Sequence, residues 1–110
     1  MSKTLRIAIV DDEPDMRESI SQWLVLSGFN TVTFATAEDA LKEIGPDWPG
    51  VVISDIRMPG MDGMAFLKRL MSIDSALPVI MITGHGDVPM AVEAMRMGAM
   101  DFMEKPLAAE

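Results

Sequence analysis

The 110-residue sequence contains no cysteine. That excludes a disulfide framework, a thiolate zinc site, an iron–sulfur centre held by cysteine and a cysteine nucleophile. It has a single histidine, His85, so no multi-histidine metal cluster can form within one chain. No apolar run approaches the roughly 18–20 residues needed to cross a bilayer, and the first ten residues lack the apolar stretch of a secretory signal. A cytoplasmic protein without membrane contact is therefore expected. Basic side chains are also scarce, nine against seventeen acidic ones, for a formal charge of -8. Such a surface repels a phosphate backbone, so no nucleic-acid contact is expected from this segment. Neither a Walker glycine-rich loop nor the glycine fingerprint of dinucleotide binding follows the first apolar run.

What is present fits one globular domain. Hydrophobic residues make up 49% and charged residues 24%, and a chain of this length buries roughly two-thirds of its unfolded surface on folding. Residues 5–10, apolar except for Arg6, read as a strand buried on both faces, the mark of a parallel sheet. Pro14 suits a first helical turn, Met16, Ile20, Trp23 and Leu24 recur at helical spacing, and Gly28 supplies the stop. Residues 31–35 are β-prone. Thr36 with Asp39 resembles a capping box for a helix carrying Ala37, Ala40, Leu41 and Ile44 on one face. Residues 51–54 form the next apolar run. A helix carrying Met64, Phe66, Leu67, Leu70 and Met71 follows, then a strand over 78–82, a helix over 88–97 closed by Gly98, and a short strand over 99–103. Strands alternating with helices through short connections predict an open parallel α/β sheet.

In such a sheet the ligand site lies beyond the C-terminal ends of the strands. Asp11 and Asp12 end the first strand, Asp55 the third and Thr83 the fourth; Lys105-Pro106 follow the fifth. Parallel strands bring these residues to one edge. Three carboxylates there repel one another and raise their own pKa values, and oxygen ligands of this kind suit a hard divalent ion such as Mg²⁺. With a hydroxyl and an ammonium alongside, the set reads as a phosphoryl site, with Asp55 the best placed nucleophile. Ordinary capping of strand ends remains the alternative at this level.

The segments Ile9-Val10-Asp11-Asp12-Glu13, Ser54-Asp55-Ile56-Arg57-Met58-Pro59-Gly60-Met61-Asp62-Gly63, Thr83-Gly84-His85-Gly86-Asp87 and Lys105-Pro106 together resemble the receiver domain of two-component response regulators. The order and spacing match over nearly the whole chain, most like regulators of the nitrogen-regulation, dicarboxylate-transport and nitrogen-fixation type. The resemblance implies a flavodoxin-like, five-stranded sheet of order 2-1-3-4-5. It implies Asp55 as phosphoacceptor from a sensor histidine kinase, and Mg²⁺ held by Asp11, Asp12, Asp55 and the main-chain carbonyl of Arg57. Lys105 pairs with the phosphoryl oxygens, Thr83 turns inward to bond them, Phe102 takes the place of the aromatic switch, and the bond before Pro106 is cis. Such a domain autocatalyses its own phosphorylation and dephosphorylation without turning over an external substrate. It signals to an output domain of the same full-length protein, in some cases as a homodimer. Receivers of this kind close with one more helix after Lys-Pro, so residues 1–110 read as a receiver domain truncated after the fifth strand.

Other prominent side chains have plainer readings. The Arg57 side chain is expected at the surface, and His85 in loop or interface packing. Asp62, Asp74 and Asp87 read as turn or cap residues. Trp23 is expected in core or intersheet packing, and most of the twelve methionines, Met64, Met71, Met81 and Met95 among them, are expected in the core. Met90, Met97, Met100 and Met103 are expected to gather near the fourth helix and fifth strand, a surface suited to a partner. The rival functions are a receiver-like interaction module independent of phosphorylation, an aspartyl-phosphate hydrolase, and a flavin or nucleotide binder.

Overall fold

The computed structural model describes residues 5–84 and 88–105, the side chain of Val88 excepted. His85, Asp87, Pro106 and the segment where a closing helix would start lie outside the described residues. The elements in chain order are β1 (Arg6–Val10), α1 (Pro14–Leu26), β2 (Asn30–Phe34), α2 (Ala37–Glu43), β3 (Gly50–Asp55), α3 (Gly63–Ile73), β4 (Val79–Thr83), α4 (Val88–Met97) and β5 (Asp101–Glu104). All pairings are parallel, and the strand order is β2-β1-β3-β4-β5. The chain runs outward from β1 to β2 and then returns to β3, so the order reverses between β1 and β3, where open sheets of this class place their sites.

Local chemistry accounts for the element boundaries. Pro14 opens α1, and Gly28, at φ 95°, lies just past its end. The Thr36 hydroxyl accepts from the Asp39 N–H at 3.1 Å at the start of α2. The Asp62 carboxylate likewise accepts from the Ala65 N–H at 2.9 Å at the start of α3, and Asp74 Oδ1 accepts from the Ala76 N–H at 3.0 Å just after its end. Asp62 and Asp74 are thus the cap and turn residues expected.

The sheet separates two cores. On one face Ala8, Val10, Val52, Val79 and Met81 pack with Ala37 and Ala40 of α2, Phe66, Leu67 and Leu70 of α3, and Ala94 of α4. On the other face, among the described residues, Ile7, Ile9 and Ile82 pack with Ile20 and Leu24 of α1, with Met16 and Ile53 alongside. Two expectations are corrected here. Trp23 is 43% exposed rather than in the core, because α1 turns Ile20 and Leu24 inward and leaves Trp23 at the margin. Met95 is 45% exposed, while Met81 is buried and Met64 and Met71 pack against the larger core. The four methionines near α4 and β5 also divide. Met90 and Met97 join the larger core, whereas Met100 and Met103 border the α1 face.

Candidate functional site

The site is assembled where β1 and β3 end side by side. The Asp11 N–H still donates to the Phe34 carbonyl at 3.2 Å, so Asp11 is held in line with the sheet before the chain turns. Its Oδ1 accepts from the Glu13 N–H at 2.9 Å, and its main-chain carbonyl accepts from Arg17 Nη1 at 2.7 Å. These contacts aim Asp11 and leave Asp12 exposed beside it. Asp55 ends β3, 5% exposed; its Oδ1 accepts from the Arg57 N–H at 3.3 Å, and Ser54 Oγ donates to its carbonyl at 3.0 Å. The next residue is fixed to β4, with the Ile56 N–H donating to the Ile82 carbonyl at 2.8 Å. Lys105 arrives directly after β5, its N–H donating to the Thr83 carbonyl at 2.7 Å.

The ammonium of Lys105 ties the strand ends together. It donates to Glu13 Oε1 at 3.1 Å and to Asp55 Oδ2 at 3.2 Å, and lies 3.1 Å from Asp11 Oδ2. The last contact is an ion pair whose alignment falls short of a hydrogen bond. Asp11 Oδ2 is therefore buried without a donor. Burial alone would lower the Lys105 pKa, but the contacts with Glu13, then Asp11 and Asp55, overrule it and hold the group above its ordinary value. Asp11 moves upward. Burial is the main cause, opposed by the Glu13 N–H and by Lys105, and Asp55 adds like-charge repulsion.

One oxygen from each of Asp11, Asp12 and Asp55 falls within 4.8 Å of the others. The donors are all carboxylate oxygens, and two of the three residues, Asp11 and Asp55, are buried. That combination fits a hard divalent cation, which would offset the repulsion among the carboxylates. The group opens into a cleft of about 320 Å³ lined by Asp12, Glu13, Asp55, Arg57, Gly84 and Lys105. A larger cleft of about 420 Å³ lies beyond Arg57, but its one carboxylate, Asp62, already caps α3. The concentration of charge favours the smaller cleft.

The structure thus brings together Asp11, Asp12, Asp55 and Lys105, and Arg57 lines the same cleft with its residue exposed. Thr83 is fully buried at the end of β4. By strand alternation it shares a face with Val79 and Met81, the face on which Phe102 packs against the larger core. Three contributors were not singled out from the sequence: Glu13 as a partner of Lys105, Arg17 on the Asp11 carbonyl, and Glu38, whose Oε2 accepts from the Met61 N–H at 3.1 Å. Arg17 was legible in principle, since it lies one helical turn beyond the acidic pair. Glu38 was not, because its contact spans 23 residues.

The family model for the response regulator receiver domain matches residues 7–110. The chain is 48% identical over its full length to the C4-dicarboxylate transport transcriptional regulatory protein DctD of Rhizobium meliloti, of which it covers 24%. It is 46% identical over 91% of its length to the transcriptional regulatory protein FixJ of Bradyrhizobium diazoefficiens, covering 49% of that protein. The chain therefore spans between a quarter and a half of these curated relatives. Among solved structures, FixJ-N superposes with a TM-score of 0.87 at 44% identity, covering 98% of this chain and 86% of that one. The receiver domain of NtrX from Brucella abortus gives a TM-score of 0.88 at 42% identity, covering 94% and 88%. With the family model matched over nearly the whole chain and the fold shared with these receivers, the chain belongs to the response regulator receiver domain family, the kind carried by two-component transcriptional regulators.

Proposed function

We propose that this chain is a phosphoacceptor switch, in which Asp55 takes a phosphoryl group from the phosphohistidine of a sensor kinase. The observation that carries the reading is the placement of Lys105 Nζ 3.2 Å from Asp55 Oδ2, beside two further carboxylates suited to an ion. An Asp55 carboxylate oxygen attacks phosphorus. The new P–O bond forms as the P–N bond breaks, and the bonding pair returns to the imidazole nitrogen. Lys105 faces the phosphoryl oxygens as their charge spreads, and Glu13 keeps the ammonium in place. Mg²⁺ held by Asp11, Asp12, Asp55 and the Arg57 main-chain carbonyl would supply the remaining positive charge. Slow loss of the phosphoryl group to water resets the switch.

Thr83 and Phe102 carry the response. Both sit on the α4 face of the sheet, on neighbouring strands, so a Thr83 hydroxyl drawn toward a phosphoryl oxygen alters the space beside Phe102. An output domain of the full-length protein, or a second receiver, would read that change. The energetics disfavour a mere docking module. Burying Asp11 and Asp55 together raises the pKa of Asp11 and costs stability, which an interaction surface does not require. The test is intact mass after incubation with acetyl phosphate and Mg²⁺. Wild type should gain one phosphoryl group, and Asp55→Asn none at this site. Equal labelling of the variant, or labelling that persists in EDTA, would sink the assignment.

A further inference from the structure

The loop between β3 and α3 is fixed at both ends by the main chain. The Ile56 N–H donates to the Ile82 carbonyl, and the Gly63 N–H donates to the Ile56 carbonyl, each at 2.8 Å. Between them Arg57 lines the phosphoryl cleft and Met58 is buried. The far side of the loop is held by a side chain from another element. Glu38, in the first turn of α2, accepts from the Met61 N–H through Oε2 at 3.1 Å. Gly60 makes room for this contact. Its φ of 74° belongs to the left-handed region, and a Cβ built there would lie 2.9 Å from the same Glu38 oxygen. The platform behind Glu38 is firm, since Ala37, Ala40 and Ile44 are buried and Thr36 caps the helix.

We propose that Glu38 is a positioning residue for the ion site: by holding the Met61 N–H beside Gly60, it fixes the β3–α3 loop and with it the main chain at Arg57. The inference rests on the phosphoacceptor reading, because Arg57 matters here as the source of a carbonyl ligand. A carboxylate acceptor makes a stronger hydrogen bond than a neutral one. The contact is exposed, however, so its net worth falls to the lower half of the range for an ordinary hydrogen bond, or about a two- to five-fold change in an equilibrium it supports. Glutamate also has the reach: aspartate is one methylene shorter and would leave the Met61 N–H to water.

The 110-residue chain, Glu38→Gln and Glu38→Ala are compared by three readouts: hydrogen exchange at the Met61 amide, Mg²⁺ affinity by calorimetry, and the rate of labelling by acetyl phosphate. Glu38 is exposed, so neither change disturbs the core. Glu38→Ala should speed exchange at Met61, weaken Mg²⁺ binding about two- to five-fold and slow labelling. Glu38→Gln keeps an acceptor and should stay near wild type in all three. Unchanged Met61 exchange in Glu38→Ala, or faster exchange with unchanged Mg²⁺ affinity, would overturn the positioning role alone. So would equal losses in both variants, since the lost charge rather than the hydrogen bond would then be responsible. A wild type that binds no Mg²⁺ would overturn the phosphoacceptor reading and leave Glu38 no ion site to position.

Discussion

Asp11 shows at the scale of one residue how the site trades stability for chemistry. It is 2% exposed, with one carboxylate oxygen lacking a hydrogen-bond donor, and its pKa lies above the ordinary 3.8. The folded chain therefore holds this proton more tightly than the unfolded chain. Between 3.8 and the raised value the folded state binds more protons, so the stability of the metal-free protein falls as pH rises through that window. Removing the charge removes the penalty. Asp11→Asn should flatten this part of the pH profile and make the metal-free chain more stable at neutral pH, while weakening Mg²⁺ binding. A gain of about 1 kcal/mol would appear as a Tm rise of about 4–8 °C for a domain near this size. Thermal melts of both proteins from about pH 3, within the ordinary carboxylate range, up to about pH 8 check the point. Parallel profiles, or a less stable variant at neutral pH, would contradict the account.

At the scale of elements, the approach of α3 to β3 sets the geometry of Asp55. Gly63 is the first residue of α3, and it is buried against the end of β3. A Cβ at this position would overlap the Asp55 carbonyl oxygen and come within 2.7 Å of Ile56 Cα. Both obstacles are backbone, so no side-chain rotation relieves them. Phe66, Leu67 and Leu70, all fully buried, resist any outward shift of the helix. Gly63→Ala should therefore cost about 1–3 kcal/mol, the usual range for overpacking a filled site. Labelling at Asp55 should also slow, because the displaced atoms belong to the proposed phosphoacceptor. Urea melts and labelling rates are read together. A stability loss with wild-type labelling would mean that α3 yields and β3 does not.

Across the whole molecule the two faces of the sheet are covered unequally. Three helices pack on one face, but among the described residues α1 alone packs on the other. Strands lie about 4.8 Å apart and a helix is about 10 Å across, so one helix shields roughly two of five strands. Beside α1 a wholly apolar groove of about 320 Å³ remains, with Ile53, Ile80 and Ile82 at its base and Trp23, Met100 and Met103 around it. Contiguous apolar surface favours association, and the charge of -8 opposes it. Salt screens charge without weakening burial. The 110-residue chain should therefore associate with rising concentration, more so at high ionic strength. Replacing Met100 and Met103, both at least 40% exposed, by lysine should reduce that association with little change in Tm. Sedimentation velocity over a wide concentration range is the check. Association unaffected by the double substitution would place the contact on another surface.

The parallel architecture and the ends of its strands were legible before any coordinates. Apolar runs closed by Asp11, Asp55 and Thr83, helices opened by Pro14 and Thr36 and stopped by Gly28 and Gly98, and a lysine after the last run are local signals, set by capping, propensity and burial over a few residues. The strand order and the phosphoryl reading came from the resemblance those segments carry. Other properties required the tertiary structure. Whether Trp23 and Met95 are buried depends on which helical face meets the sheet, and their spacing along the chain is compatible with either outcome. The convergence of Glu13, Asp11 and Asp55 on one ammonium, and the reach of Glu38 to Met61, depend on distances between elements that are far apart in sequence. So does the raised pKa of Asp11, because desolvation is a property of the packed surroundings and not of the residue type. Local sequence thus determined which groups stand at the sheet edge, and packing decided which of them touch, because contact energy is short-ranged and only the folded chain brings these atoms within its reach.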